Sequence, residues 1–326
     1  MELAFCYPVP EAYRYSQKLG CRKGYLDICW PRIQPEPGVY DFSYYDPVIA
    51  EAKAAGLELI GMVSSRRSTF PDGHWIWHNH RGMMPDPGTW GEFLEVVASR
   101  YKETIRYWEV WSEPNCLACN PMCYYDYELY LEVLKLASSR IRTADPTAKI
   151  MLGGLWFNTT TYNFSKALLT PQNVELFDIF SFHFFLMTPL HATVGFDSWH
   201  EPLTRWIEYF RSKLPQGYPI WMGEFGLPTK RGERDELRSS TVGRVVGLSE
   251  QAQAEWFAQF AEAADKEWDL GTVVWVCLQD EATENGTFNE NLGLMRADGS
   301  AKPVQALIEQ FQRNKAAQWA AGQERK

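Results

Sequence analysis

The chain has 326 residues, 45% of them hydrophobic and 22% charged, with a formal net charge of −9 and a pI near 5.3. That size suits one large α/β domain, and so apolar a composition excludes a disordered chain. The acidic balance, with no run of Lys or Arg, argues against nucleic-acid binding, and no run of about 18 uncharged apolar residues is present to form a membrane span.

Met1-Glu2-Leu3-Ala4-Phe5-Cys6-Tyr7 lacks the basic and then apolar pattern of a secretion signal. A cytoplasmic protein is expected, or a secreted one whose leader is absent from this chain. Strand-like runs then alternate with amphipathic helical ones. Residues 3–7 predict the first strand, 11–19 a short helix stopped by Gly20, and 25–30 the second strand. Residues 31–41 read as a Pro-rich loop, 44–55 as a helix with Gly56 as its stop, and 57–63 as the third strand. The stretch 64–88 has little periodicity, and so long a loop within a domain is usually functional. Thr89 and Glu92 have capping-box spacing, ahead of a helix to about residue 102.

The fourth strand leads into Trp108-Glu109-Val110-Trp111-Ser112-Glu113-Pro114-Asn115. Residues 126–143 predict a long helix, 149–155 the fifth strand, 165–169 a short helix and 178–183 the sixth strand. A helix over 198–214, a seventh strand over 220–224, a helix capped by Ser249, an eighth strand over 272–278 and a last helix over 303–311 follow. Residues 316–326 read as a frayed polar tail. Eight strands separated by helices, with no break in composition, predict a single (β/α)8 TIM barrel domain over residues 1–326. A doubly wound sheet is the alternative, but no Gly-rich phosphate turn follows the first strand.

Two of these strands end on a glutamate. Aromatic and β-branched residues carry the fourth strand towards Glu113, and Pro114 cannot continue a ladder. Pro219-Ile220-Trp221-Met222-Gly223-Glu224-Phe225-Gly226 repeats the design with Glu224. Strand ends of a barrel gather on one face, so the two carboxylates are expected to meet there. Cleaving a glycosidic bond with retention needs such a pair about 5–5.5 Å apart, one ionised and one protonated. Either glutamate alone could equally be a loop ion pair or a helix cap; two on separate strand ends argue for a site. Asn115 suits a turn or a role in fixing the loop below Glu113.

These stretches resemble clan A glycoside hydrolases, in particular families 39 and 5. The segment from Trp108 to Asn115 is similar to their acid/base motif, and that from Trp221 to Gly226 to their nucleophile motif. Trp30 with the segment 35–42, Ser181-Phe182-His183, Val274-Trp275, and the stretch from Asn291 to Pro303 also resemble segments of these families. The resemblance implies a retaining hydrolase of β-linked glycosides, with Glu113 as acid/base, Glu224 as nucleophile and no cofactor. It places Trp30, Ser112, His183, Phe185 and Trp275 in contact with substrate. Trp156 and Trp275 are candidates for sugar stacking or, equally, caps of the core.

Three departures bear on the substrate. Ser112 stands where these families usually have Asn, Phe185 where they often have Tyr, and the second strand lacks the Arg often found there. The expectation is a sugar that is not an ordinary equatorial 2-hydroxy pyranose; a water or another loop supplying the contact is the alternative.

Other groups invite weaker readings. Cys116, Cys119 and Cys123 could bind zinc with His78 or His80, form one disulfide, or remain thiols. His74, His78, His80, Arg66, Arg67 and Arg81 could receive an anionic sugar, or form ion pairs within a solvated loop. Cys6, Cys29 and Cys277 fall in strand-like runs as small apolar residues. The expected partner is an oligosaccharide or glycoside, and the oligomeric state is not indicated. A carbohydrate-binding barrel without turnover is the competing function.

Overall fold

The computed structural model describes residues 1–6, 10–36, 38–64, 87–116, 126–157, 161–186, 196–230, 236–239, 243–281 and 289–323. The Arg and His residues of the stretch 64–88, together with Cys119 and Cys123, lie outside these residues.

Eleven strands are described: β1 (Glu2–Cys6), β2 (Lys23–Cys29), β3 (Glu58–Ser64), β4 (Ile105–Val110), β5 (Lys149–Leu152), β6 (Leu155–Trp156), β7 (Phe180–Phe185), β8 (Ile220–Gly226), β9 (Glu236–Ser239), β10 (Gly243–Val246) and β11 (Thr272–Val276). Nine of them pair in the order β5-β4-β3-β2-β1-β11-β8-β7-β6, and β9 and β10 form a separate antiparallel hairpin. The ring closes where Met151 bridges Ile179 in parallel and the Leu152 N–H donates to the Ile179 carbonyl at 2.9 Å. β5 and β6 are therefore two halves of one barrel strand, interrupted at Gly153-Gly154. The result is the expected eight-position (β/α)8 barrel.

Asp178, just ahead of β7, reinforces this closure. Its carboxylate accepts from the Ile150 N–H at 2.8 Å and from Arg142 at 2.9 Å, and it lies 3.3 Å from Lys149.

The helices are α1 (Pro10–Lys18), α2 (Trp30–Ile33), α3 (Tyr45–Ala54), α4 (Pro87–Tyr101), α5 (Tyr127–Ala144), α6 (Thr161–Leu168), α7 (Asp197–Lys213), α8 (Glu250–Lys266) and α9 (Pro303–Gln323). Gly56, at φ +70°, takes the left-handed position after α3 that a side chain would resist. Asp126 and Ser249 cap α5 and α8 by accepting from the Leu129 and Ala252 N–H groups. Two expectations need correction. α4 starts at Pro87, so Thr89 and Glu92 lie within it rather than at a capping box. α9 continues to Gln323, through most of the tail expected to fray. Buried Val304, Ile308 and Gln312 hold one face of α9, and Lys315 bonds Asp265 of α8 at 2.8 Å.

Period-2 alternation sorts the strand side chains into two layers. Ala4, Tyr25, Ile60, Met62, Met151, Ile179, Trp221 and Val274 pack together as the barrel interior. Their strand neighbours, among them Phe5, Leu26, Leu59, Val63, Trp108, Val110 and Val273, join the larger core between strands and helices.

Candidate active site

Glu113 reaches the site through a kink. β4 ends at Val110 instead of running on to the glutamate, and Trp111 and Glu113 take left-handed backbone at φ 72° and 49°. Bulky residues rarely adopt that region, so the surroundings must hold them there. The Trp111 N–H donates to the Val63 carbonyl at 2.9 Å, and the Glu113 N–H to the Gly154 carbonyl at 3.1 Å. Asn115, fully buried, clips the next turn: its Nδ2 donates to the Trp156 carbonyl at 2.8 Å, and the Trp156 N–H donates to its Oδ1 at 2.7 Å. Of the two roles open to Asn115, it fills that of fixing the Glu113 loop.

Glu224 is turned inward by a β-bulge. Between Met222 and Glu224, β8 spends two steps where β7 spends one, from Phe182 to His183. The same extra residue appears against β11, where Val273 and Trp275 face Met222 and Phe225. Strict alternation from the interior Trp221 would aim Glu224 at the helices; the bulge at Gly223 aims it into the barrel. A Cβ on Gly223 would lie 2.6 Å from Ser181 Oγ and 3.0 Å from His183 Nε2, so no larger residue fits.

The two carboxylates meet at His183. Its Nδ1 lies 3.1 Å from Glu113 Oε1 and 3.5 Å from Glu224 Oε2. The contacting atoms of all three residues lie within 4.8 Å of one another. Glu113 is the more enclosed, its side chain 6% exposed against 16% for Glu224. Beneath them lies a third carboxylate. Glu109 is wholly buried, accepts from Tyr25 Oη at 2.9 Å and the Gly154 N–H at 2.8 Å, and stands 3.4 Å from His183 Nε2. Burial works against charge on His183, but the surrounding Glu224, Glu109 and Glu113 outweigh it and hold the imidazole well above its ordinary value of 6.5. Burial, with the fields of Glu224 and Asp27, pushes the Cys6 thiol up, so the end of β1 offers a neutral thiol.

Residues 28–279 match the model of the cellulase family, glycosyl hydrolase family 5. The chain belongs to that family. No curated protein matches it in sequence. A family 39 glycoside hydrolase from the gut symbiont Bacteroides cellulosilyticus superposes with a TM-score of 0.68 at 17% identity, over 95% of this chain and 63% of the other. An exo-β-1,4-mannosidase from an Opitutaceae bacterium gives 0.69 at 14% identity, over 98% and 60%. A family 39 β-xylosidase from Caulobacter crescentus gives 0.63 at 16%, over 95% and 70%. The chain spans less than two thirds of the length of the first two, and likeness at such identity speaks to the fold.

Within this family 5 barrel, the site residues expected from sequence divide. Glu113, Glu224, His183 and the buried Ser112 lie together at the carboxyl ends of the strands. Half-buried Trp156 and Phe185 stack on one another there, ring centroids 5.8 Å apart. Trp275 and Trp30 do not join them. Trp275 is 0% exposed, donates from Nε1 to the Leu292 carbonyl at 2.7 Å, and meets Phe225 and Phe257 edge-on. It follows the interior Val274, so alternation turns it outward into the helix layer. Trp30, also 0% exposed, opens α2 and packs on Trp90 and Phe93. Both are core residues.

Sequence reading passed over Glu109, Tyr25 and Gly154. Alternation would have found Glu109, which points inward two residues after Tyr107. Gly154 has no signal of its own; a Cβ there would overlap the His183 ring.

Among the described residues, Glu113, His183 and Glu224 also form the one His, Cys, Asp or Glu group close enough to share a metal ion. No helix among the described residues is long and apolar enough to cross a membrane.

Proposed function

We propose that the protein hydrolyses β-linked glycosides with retention of anomeric configuration, using Glu224 as nucleophile and Glu113 as acid/base. The observation that carries this reading is the approach of the two carboxylates, within 4.8 Å, at the rim of the barrel. So close an approach of one oxygen from each is in keeping with a retaining pair, whose carboxyl groups stand about 5–5.5 Å apart. The difference in enclosure fits the two roles. Glu113 is the more enclosed of the two, and a protonated acid/base beside an ionised nucleophile is the division of roles the reaction needs.

A Glu224 oxygen attacks the anomeric carbon while the glycosidic bond breaks, and Glu113 gives its proton to the departing oxygen. Water then attacks the same carbon, Glu113 takes back a proton, and the Glu224 carboxylate is released. The stacked Trp156 and Phe185 offer an apolar wall for a sugar face. Ser112, next to the acid/base, has no amide to donate to a 2-hydroxyl, which supports a sugar altered at or beside that position.

Screening the purified protein against glycosides, with product anomers followed by NMR, tests the reaction. Retained configuration is expected, with Glu224→Gln and Glu113→Gln each slowing turnover at least ~100-fold while sugar binding survives. An inverted product, or full activity in either variant, overturns the proposal. Ser112→Asn that merely raises activity on plain β-glucosides would remove the substrate inference alone.

A further inference from the structure

We propose that Glu109 is a positioning residue for the Glu113–Glu224 pair: its buried carboxylate holds His183 from beneath so that Nδ1 faces both outer glutamates. The inference rests on the hydrolase reading above, but adds a residue and a device that reading does not require.

The geometry is closed on every side. Glu109 is wholly buried, and its oxygens face Tyr25 Oη at 2.9 Å, the Gly154 N–H at 2.8 Å and His183 Nε2 at 3.4 Å. Tyr25 cannot balance the charge, because burial together with Glu109 and Glu224 keeps its phenol protonated. Gly154 contributes a neutral N–H. Among the described residues His183 is the ionic partner of Glu109. A buried carboxylate without a counter-charge is strongly disfavoured, so Glu109 and a charged His183 stabilise one another.

The ring carries that charge to the reacting pair. Its opposite nitrogen stands 3.1 Å from Glu113 and 3.5 Å from Glu224. The titratable groups facing His183 are Glu109 on β4, Glu113 in the loop after β4, and Glu224 on β8. Beyond them Cys6 on β1 and Tyr25 on β2 are held neutral. Three carboxylates thus converge on one imidazole. Were the ring neutral, they would repel one another in a largely buried space, and the pair would hold its protons to higher pH. A cation under Glu224 favours the ionised nucleophile. Its loss should move the acid limb of the rate profile upward.

Glu109→Gln keeps the shape and removes the charge. The wild-type chain has six histidines, and His183→Asn assigns the signal of interest in a protein labelled with ¹⁵N-histidine. In the wild type, His183 is expected to stay protonated well above pH 6.5. In Glu109→Gln it should lose its proton at least about one pH unit lower. With an active substrate, the acid limb of kcat/KM should rise by about one unit in Glu109→Gln, and adding this change to His183→Asn should shift it no further. A purely structural Glu109 would leave both the titration and the profile unmoved, which overturns the proposal. A wild-type His183 that titrates near 6.5 overturns it without any variant, should Glu109→Gln fail to fold. The titration needs no turnover, so absent hydrolysis would sink the hydrolase reading and leave this one still tested.

Discussion

At the scale of single residues, type and position carried unequal information. That Glu113 and Glu224 would meet was legible because each follows an apolar run on a separate strand, and strand ends of a barrel gather on one face. The tryptophans were not, because residue type does not say which side of a strand a ring occupies. Trp275 follows the interior Val274, and that phase turns it to the helices. Its substitution should therefore act on stability. Trp275→Phe removes the bond to Leu292 and leaves a gap between Phe225 and Phe257, a loss of roughly 2 kcal/mol. Thermal melting should show the drop while KM stays within about twofold of wild type. A large rise in KM with unchanged melting would return Trp275 to the substrate.

At the scale of elements, the informative events are irregular. Most strands and helices were readable from their periods to within a few residues at each end, but the short α2 was not, and α9 runs twelve residues beyond its expected end. The β8 bulge and the left-handed exit from β4 were not, since both depend on what the neighbouring strands present. Gly223 is small because Ser181 and His183 crowd it, and those residues lie far away in the chain. Asn115 was ambiguous for the same reason, its partners being the backbone groups of Trp156. Asn115→Ala leaves a buried N–H and carbonyl unmatched at Trp156, a loss of about 1–3 kcal/mol. Because this clip also steadies the loop that carries Glu113, kcat should fall more than KM rises. Steady-state kinetics beside a denaturation curve separate the two effects, and unchanged kcat would confine Asn115 to stability.

At the scale of the whole molecule, the barrel followed from eight apolar runs separated by helical ones, while its closure did not. β5 meets the start of β7 through the bridge of Met151 to Ile179 and backbone bonds from Leu152, Asp178 and Ile179, with the Asp178 carboxylate fastening the joint. The hairpin of β9 and β10 also escaped the sequence reading, because residues 236–246 mix polar and apolar types without a long run. Burial works against the Asp178 charge, but the Ile150 N–H, Arg142 and Lys149 overcome it and hold the carboxyl below its ordinary value of 3.8. A lowered carboxyl stabilises the fold above its unfolded value, and that contribution disappears as pH falls through the folded one. Asp178→Asn should thus cost about 1 kcal/mol at neutral pH. The gap from wild type should close below about pH 3.8 in melts recorded across the acid range. A gap that persists in acid would mean the loss is not one of charge.

The interruption at Gly153-Gly154 has a consequence for how the protein fails on warming. The glycine that splits the fifth barrel strand is also the one that donates to Glu109 and leaves space for the His183 ring. The joint at that break and the floor under Glu113 and Glu224 are thus one piece of backbone. Gentle heating should spread that joint first, silencing turnover several degrees before circular dichroism registers any loss of helix.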